Sequence, residues 1–250
     1  MSKKNSHNEE HSTQKRNNPL PWVGGAILIL GLAISAGFYW SSMMTVQEVR
    51  FEDHKLVSEE KLREVEVPTG ISPDSLNVMN IITQFEEIPY VERAAVDVEP
   101  NGNITIRISE RQPIAMLVDG NQEMYIDKEG TLLPFTLGET VDVPLLYGFR
   151  SKSPGDTLKQ SQFKAAADFL TELQNRPVSN ATISEVAWTD NGIVALTNDN
   201  GVKVTFGKDS FGTRLRNWEA FYGEVIKQKG MEQMRSIDLR FEGQIVTREQ

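Results

Sequence analysis

Val91-Glu-Arg-Ala-Ala-Val-Asp-Val-Glu99, Pro100-Asn-Gly102, Asn103-Ile-Thr-Ile-Arg-Ile-Ser-Glu110: these residues hold the clearest local signal in the chain. In the last segment Ile104, Ile106 and Ile108 alternate with Thr105, Arg107 and Ser109, the period-two pattern of a half-buried strand with the isoleucines inward. The first segment reads as a second strand, with Val96 and Val98 on one side and Asp97 and Glu99 on the other. Asn101-Gly102 between them is a strong hairpin signal.

Working back from this hairpin, Pro89 closes an apolar helical face made by Val78, Ile81, Ile82, Phe85 and Ile88, which predicts a helix over about Ser75 to Glu87. Before it, Ser58 suits an N-cap. Val57 and Leu62 occupy the two positions of a hydrophobic staple, and Glu59 and Glu60 suit a helix start. That first helix must end before Pro68. Thr45-Val-Gln-Glu-Val-Arg-Phe51 reads as a strand. The order β-α-α-β-β spans residues 45–114 and predicts a three-stranded sheet with both helices on one face.

Further back, no charge occurs between Arg16 and Glu48. The stretch Trp22 to Trp40 covers about 28 Å as a helix, close to a bilayer's hydrocarbon thickness. Trp22 marks one end, and Phe38, Tyr39 and Trp40 the other, where aromatic rings favour the headgroup level. Residues 22–44 are therefore expected to span a membrane. Lys15 and Arg16 precede the span, so residues 1–21 are expected to stay in the cytoplasm and the rest to be exported. A cleaved signal peptide would share the basic start, but the polar tail and the aromatic cluster speak against cleavage. The glycines of the span give no clean GxxxG face for helix dimerisation. The tail is polar and without apolar periodicity, and is expected to be disordered.

Beyond Pro113 the pattern changes to short strands. Ile114–Asp119, Met124–Asp127, Leu132–Phe135, Val143–Phe149, Ile183–Trp188, Ile193–Thr197 and Val202–Phe206 read as strands, and Ser236 to Val246 as one final strand. Two helices are expected, Ser161 to Asn175 and Phe211 to Lys227. Residues 115–250 thus read as a mainly antiparallel β domain with two helices, and the whole chain as α+β.

The 250 residues contain no cysteine, three histidines and a net charge of -9. There is no disulfide framework, no thiol nucleophile and no cysteine metal site. His7 and His11 lie in the polar tail and His54 stands alone in a loop. Residues 1–44 carry four basic and two acidic side chains, a net of +2; the remainder carries 22 basic and 33 acidic, a net of -11. An acidic body argues against nucleic-acid binding. No Walker loop, G-x-G-x-x-G, H-E-x-x-H or G-x-S-x-G motif occurs. Asn103-Ile-Thr105 and Asn180-Ala-Thr182 match a glycosylation pattern that depends on the host. No catalytic residue, cofactor or metal is expected. The residues alone describe a membrane-tethered, two-domain interaction protein.

In this order the features resemble the bacterial division proteins of the FtsQ family, called DivIB in Gram-positive organisms. The matches are Val46-Gln-Glu-Val-Arg-Phe51, Ile88-Pro-Tyr-Val-Glu-Arg-Ala-Ala95, and Ile106-Arg-Ile-Ser-Glu-Arg-Gln-Pro-Ile-Ala115. They continue with Tyr125-Ile-Asp127 and Gly130, Val143-Pro-Leu-Leu-Tyr-Gly148, Val204-Thr-Phe-Gly207 and Ile237-Asp-Leu-Arg-Phe241. The small module is similar to a POTRA domain.

The resemblance implies a divisome scaffold that links the single-span coiled-coil proteins FtsB and FtsL and helps to control septal peptidoglycan synthesis. It implies a single-pass inner-membrane protein at the midcell septum, with its N-terminus in the cytoplasm. By position it assigns partner binding to Arg240, Phe241, Glu242 and Gly243, partly by adding a strand to an exposed sheet edge. Phe241 stands where many members have Tyr, and after Val246 only Thr247-Arg-Glu-Gln250 remain. Phe241 could equally be core, since Ile237, Leu239 and Phe241 alternate on one face. Two other functions fit the layout: a POTRA-bearing secretion or envelope-assembly component, and a membrane-anchored periplasmic enzyme.

Overall fold

The computed structural model describes residues 20–43, 45–99, 101–135 and 140–250. The tail expected over residues 1–21 therefore lies, but for its last two residues, outside the described part, as does Pro100 of the hairpin turn. Helix α1 (Leu20–Met43) includes Trp22–Tyr39, a stretch long and apolar enough to cross a membrane and nowhere buried against the rest of the protein. A helix apolar on every side has no polar face to turn to water, which suits hydrocarbon around it.

A small lobe follows. It contains β1 (Val49–Glu52), α2 (Glu59–Arg63), α3 (Val78–Glu86), β2 (Val91–Val98) and β3 (Ile104–Glu110). The sheet order is β1-β3-β2, with β1 parallel and β2 antiparallel to the central β3. Ile104, Ile106 and Ile108 are all buried, together with Leu62, Ile81 and Phe85 from the helices. Ser58 caps α2 by accepting the Lys61 N–H, and Val57 and Leu62 are both buried as a staple requires.

Two boundaries and the facing of two residues differ from these expectations. The first strand starts at Val49, because the buried Val46 pairs its backbone with Gly70 and Ile71 instead. The second helix starts at Val78, because Pro73–Ser75 forms a 3-10 turn and Asn77 supplies the cap. On β2 a bulge between Val91 and Arg93 puts both Val91 and Ala94 on the inward face, while Val98, opposite Ile104 at the strand end, is exposed. Thr105, expected outward, is buried, with its hydroxyl beside Glu99 Oε1 at 3.3 Å.

The large lobe is one nine-stranded sheet. Its strands are β4 (Pro113–Asp119), β5 (Gln122–Asp127), β6 (Leu132–Pro134), β7 (Leu145–Tyr147), β8 (Ile183–Thr189), β9 (Gly192–Thr197), β10 (Lys203–Gly207), β11 (Met234–Asp238) and β12 (Val246–Glu249). They run in the order β12-β11-β10-β9-β8-β7-β4-β5-β6. The pairs β10–β11, β8–β7 and β7–β4 are parallel and the others antiparallel.

Helices α4 (Phe163–Gln174) and α6 (Phe211–Phe221) pack on this sheet, and α6 continues through a π turn to Lys229. Phe169 of α4 contacts Phe206 and Phe211 with ring centroids 4.8 and 5.5 Å apart. A third, short helix, α5 (Pro177–Thr182), stands between them. Its six residues are too few for a periodic signal, and Pro177 fixes its first turn.

The final strand expected over Ser236–Val246 is instead two strands. The ladder along β11 ends with the bond from Leu239 N–H to Thr205 O, and β12 returns antiparallel from Val246. The cause is Asp238: its Oδ1 accepts the Arg240 backbone N–H at 3.1 Å, an Asx-type turn that competes with the ladder.

Candidate docking site at the C-terminal hairpin

Because the strand stops at Asp238, the four residues singled out in the sequence lie on the turn between β11 and β12 and not on a strand. Leu239 is buried, but the in-and-out alternation ends there. Phe241 is 45% exposed, which decides against the core reading, and Arg240, Glu242 and Gly243 are exposed as well. Beside this turn, β12 forms one end of the large sheet, so its outer edge has no strand partner among the described residues. Such an edge leaves main-chain N–H and C=O groups able to pair with another chain.

Arg240 is held in a defined orientation. Its Nε donates to Asp238 Oδ1 at 2.9 Å, its Nη2 to Asp238 Oδ2 at 2.6 Å, and its Nη1 to Asn191 Oδ1 at 3.2 Å. Burial pushes the Asp238 carboxyl up, but side-chain and backbone hydrogen bonds from Arg240, with the charges of Arg240 and Arg214, bring it below the usual carboxylate range. The same pairing raises Arg240 above its ordinary value.

The floor of the site is glycine. Gly207 has φ +85°, and a Cβ there would come within 2.6 Å of Arg214 Nη1 and 3.0 Å of Arg240 Cγ. Gly192 has φ +83°, and its Cβ would meet Gly207 O at 2.2 Å. The two glycines let the ends of β9 and β10 close up, and the arginine stems cross that surface. Arg214, from the start of α6, donates from Nη1 to Phe206 O and from Nη2 to Asp209 Oδ1.

Nothing in the sequence marks Asn191, Gly192, Gly207, Arg214 or Asp238 as a site residue. The segment Asp190-Asn191-Gly192 is legible only as a turn, and nothing local relates it to Arg240, 49 positions away. Among the described residues no cluster of three or more His, Cys, Asp or Glu side chains is arranged to hold a metal. The arrangement offers directional hydrogen-bond donors, an exposed aromatic ring and a free sheet edge, which are the parts of a protein-docking surface.

Residues 112–248, more than half of the chain, match the protein family described as FtsQ/DivIB, C-terminal related. The chain belongs to the FtsQ/DivIB family. The cell division protein FtsQ of Rhodothermus marinus is 30% identical over 237 residues, covering 90% of this chain and 86% of the relative. The cell division protein FtsQ of Salinibacter ruber is 26% identical over 238 residues, covering 90% and 92%. The solved extracytoplasmic domain of DivIB from Geobacillus stearothermophilus aligns with 48% of this chain and 97% of its own. At 21% identity and a TM-score of 0.33, that likeness is too low to bear on the fold.

Membership in the FtsQ/DivIB family supports a role in the division machinery. Among the described residues one apolar N-terminal helix is long enough to cross a membrane, the layout of a single-pass membrane protein.

Proposed function

We propose that the protein is a non-enzymatic scaffold of the divisome. Residues 22–44 span the inner membrane, and residues 1–21 lie in the cytoplasm. Residues 45–114 form a POTRA-like module, and residues 115–250 form the partner-binding domain outside the membrane. At the septum it links FtsB-like and FtsL-like single-span coiled-coil proteins, and so helps to control septal peptidoglycan synthesis.

The observation that carries this reading is the exposed end of the large sheet. The edge of β12, which has no strand partner among the described residues, adjoins the turn bearing Arg240, Phe241, Glu242 and Gly243, and that turn is exposed. A partner strand added to β12 gains main-chain hydrogen bonds, and the turn supplies selectivity. An exposed Phe beside a seated Arg is the kind of anchor that carries a large share of binding energy in protein interfaces.

The test is the affinity of the full chain, in detergent or nanodiscs, for the extracytoplasmic segment of the FtsB-like protein of the same organism. Replacing Arg240 and Phe241 together by Ala is expected to weaken it at least about tenfold with the fold intact. Unchanged affinity in a folded double variant overturns the site.

A further inference from the structure

We infer that Asp238 is a positioning residue for Arg240, holding its guanidinium in one direction before any partner arrives. The inference rests on the reading of Arg240 as a docking residue. Three observations support it. Asp238 grips the Nε–Nη2 side of the guanidinium with both carboxylate oxygens, at 2.9 and 2.6 Å. Asn191 Oδ1 takes a proton of Nη1 from the turn before β9, a different part of the sheet. The aliphatic stem lies against Gly207, where a Cβ would come within 3.0 Å of Arg240 Cγ, so any larger residue would displace it.

A guanidinium has five N–H donors. Asp238 and Asn191 take three, and two remain for a partner. The side chain as a whole is still 38% exposed, so it is not sealed from a partner. A free arginine on a turn samples many rotamers, and ordering it on docking weakens binding; a seated one has lost that freedom already. The same pairing sets the kind of recognition. Since Asp238 neutralises the charge locally, Arg240 serves as a fixed pair of donors more than as an isolated cation. Asp238 itself needs no contact with the partner.

The experiment has two arms on the full chain in nanodiscs. The first needs no partner: phenylglyoxal modifies arginine side chains, and mass spectrometry follows each site. In the native chain Arg240 is expected to react several-fold more slowly than the exposed Arg150. Asp238→Asn is expected to raise the Arg240 rate at least threefold and leave Arg150 unchanged. Equal rates at Arg240 and Arg150 in the native chain would overturn the inference.

The second arm is a double-mutant cycle on affinity for the FtsB-like extracytoplasmic segment. Asp238→Asn is expected to weaken binding about tenfold in the native background, and by less than about twofold when Arg240→Ala is already present. Equal losses in both backgrounds mean that Asp238 acts without Arg240, and the inference fails. If Arg240→Ala leaves affinity unchanged, the docking reading itself fails, whatever the labelling shows. Should Asp238→Asn not fold, Asn191→Ala, on a separate turn, is expected to raise the Arg240 labelling rate and weaken binding about threefold. No change in either with Asn191→Ala overturns the inference.

Discussion

Arg111 and Asp127 form a 2.9 Å ion pair where the two lobes meet, with the Asp127 side chain only 2% exposed. Asp127 Oδ1 also accepts the Thr131 N–H at 2.7 Å, so one buried carboxylate closes a turn of the large lobe and receives the linker's arginine. The preceding residue, Glu110, faces the other way. Its carboxylate accepts the backbone N–H groups of Lys55, Leu56 and Val57 at 2.8 to 2.9 Å. Two adjacent residues thus fasten opposite sides of the junction, and the Tyr90 hydroxyl adds a 2.8 Å bond to Pro134 O.

Removing one partner from a buried pair costs more than the pair contributes, because the other charge stays buried. Arg111→Ala is accordingly expected to lower stability by about 2 to 4 kcal/mol, and Glu110→Ala by about 2 kcal/mol through its orphaned N–H groups. Urea denaturation of each variant measures both, and a loss below about 0.5 kcal/mol for Arg111→Ala would show that the pair does not fasten the junction.

The helix layer depends on one hydroxyl. Trp218 is fully buried, and its Nε1 donates to Thr182 Oγ1 at 2.9 Å; that hydroxyl in turn donates to Val178 O at 2.8 Å. Next to it, Ser179 and Arg176 both reach the carboxylate of Glu219. Short helix α5 is tied to α6 through these bonds. Thr182→Val keeps the shape and leaves the indole N–H without an acceptor, which is expected to cost about 1 to 3 kcal/mol. Thr182→Ser keeps the oxygen and should cost less than half as much. Equal losses in the two variants would assign the effect to packing and not to the hydrogen bond.

What the sequence displayed and what it hid divide along physical lines. The isoleucine alternation at 104, 106 and 108, the Ser58 cap and the apolar face of α4 are local signals, and the structure follows them. The end of β11 was not legible, because Ile237, Leu239 and Phe241 continue the period of two. A single side-chain bond from Asp238 to the next turn ends the strand against that pattern. The parallel neighbours β4–β7 and β7–β8 join segments far apart in sequence, for which no local signal exists. The same distance hid the seat of Arg240: the family resemblance marks it as a docking candidate by position, while Asn191 and Gly207 reach it only through the sheet.

Gly192 is where fold and site meet. Its φ of +83° disfavours any other residue, and a Cβ would lie 2.2 Å from Gly207 O. Gly192→Ala must therefore push β9 from the end of β10 as well as strain its own backbone. A loss of about 2 to 4 kcal/mol is expected, well above the cost of a positive φ alone. Because the displaced strand end carries Asn191, docking should weaken beyond what stability explains. Thermal unfolding and partner affinity on the same variant separate the two effects, and a near-neutral Gly192→Ala would mean that the strand ends are not closely packed.

The Asp238–Arg240 pair gives stability a defined dependence on pH. Its carboxyl is held below the ordinary aspartate value of 3.8 in the folded chain. A group whose value is lowered by folding stabilises above its unfolded value, and that contribution disappears as pH falls through the folded one. The contribution is therefore complete at pH 7, starts to fall near pH 4, and is gone once Asp238 is protonated in the native state. Both side chains are partly solvated, so screening limits it to about 1 kcal/mol or less. Asp238→Asn removes the charge at every pH. The stability difference between native and variant chains, measured by denaturant unfolding, is expected to be flat from pH 8 to about pH 5 and to shrink below about pH 4. A difference that persists unchanged at pH 2 would show that the carboxylate charge contributes nothing there, and that Asp238 acts through shape alone.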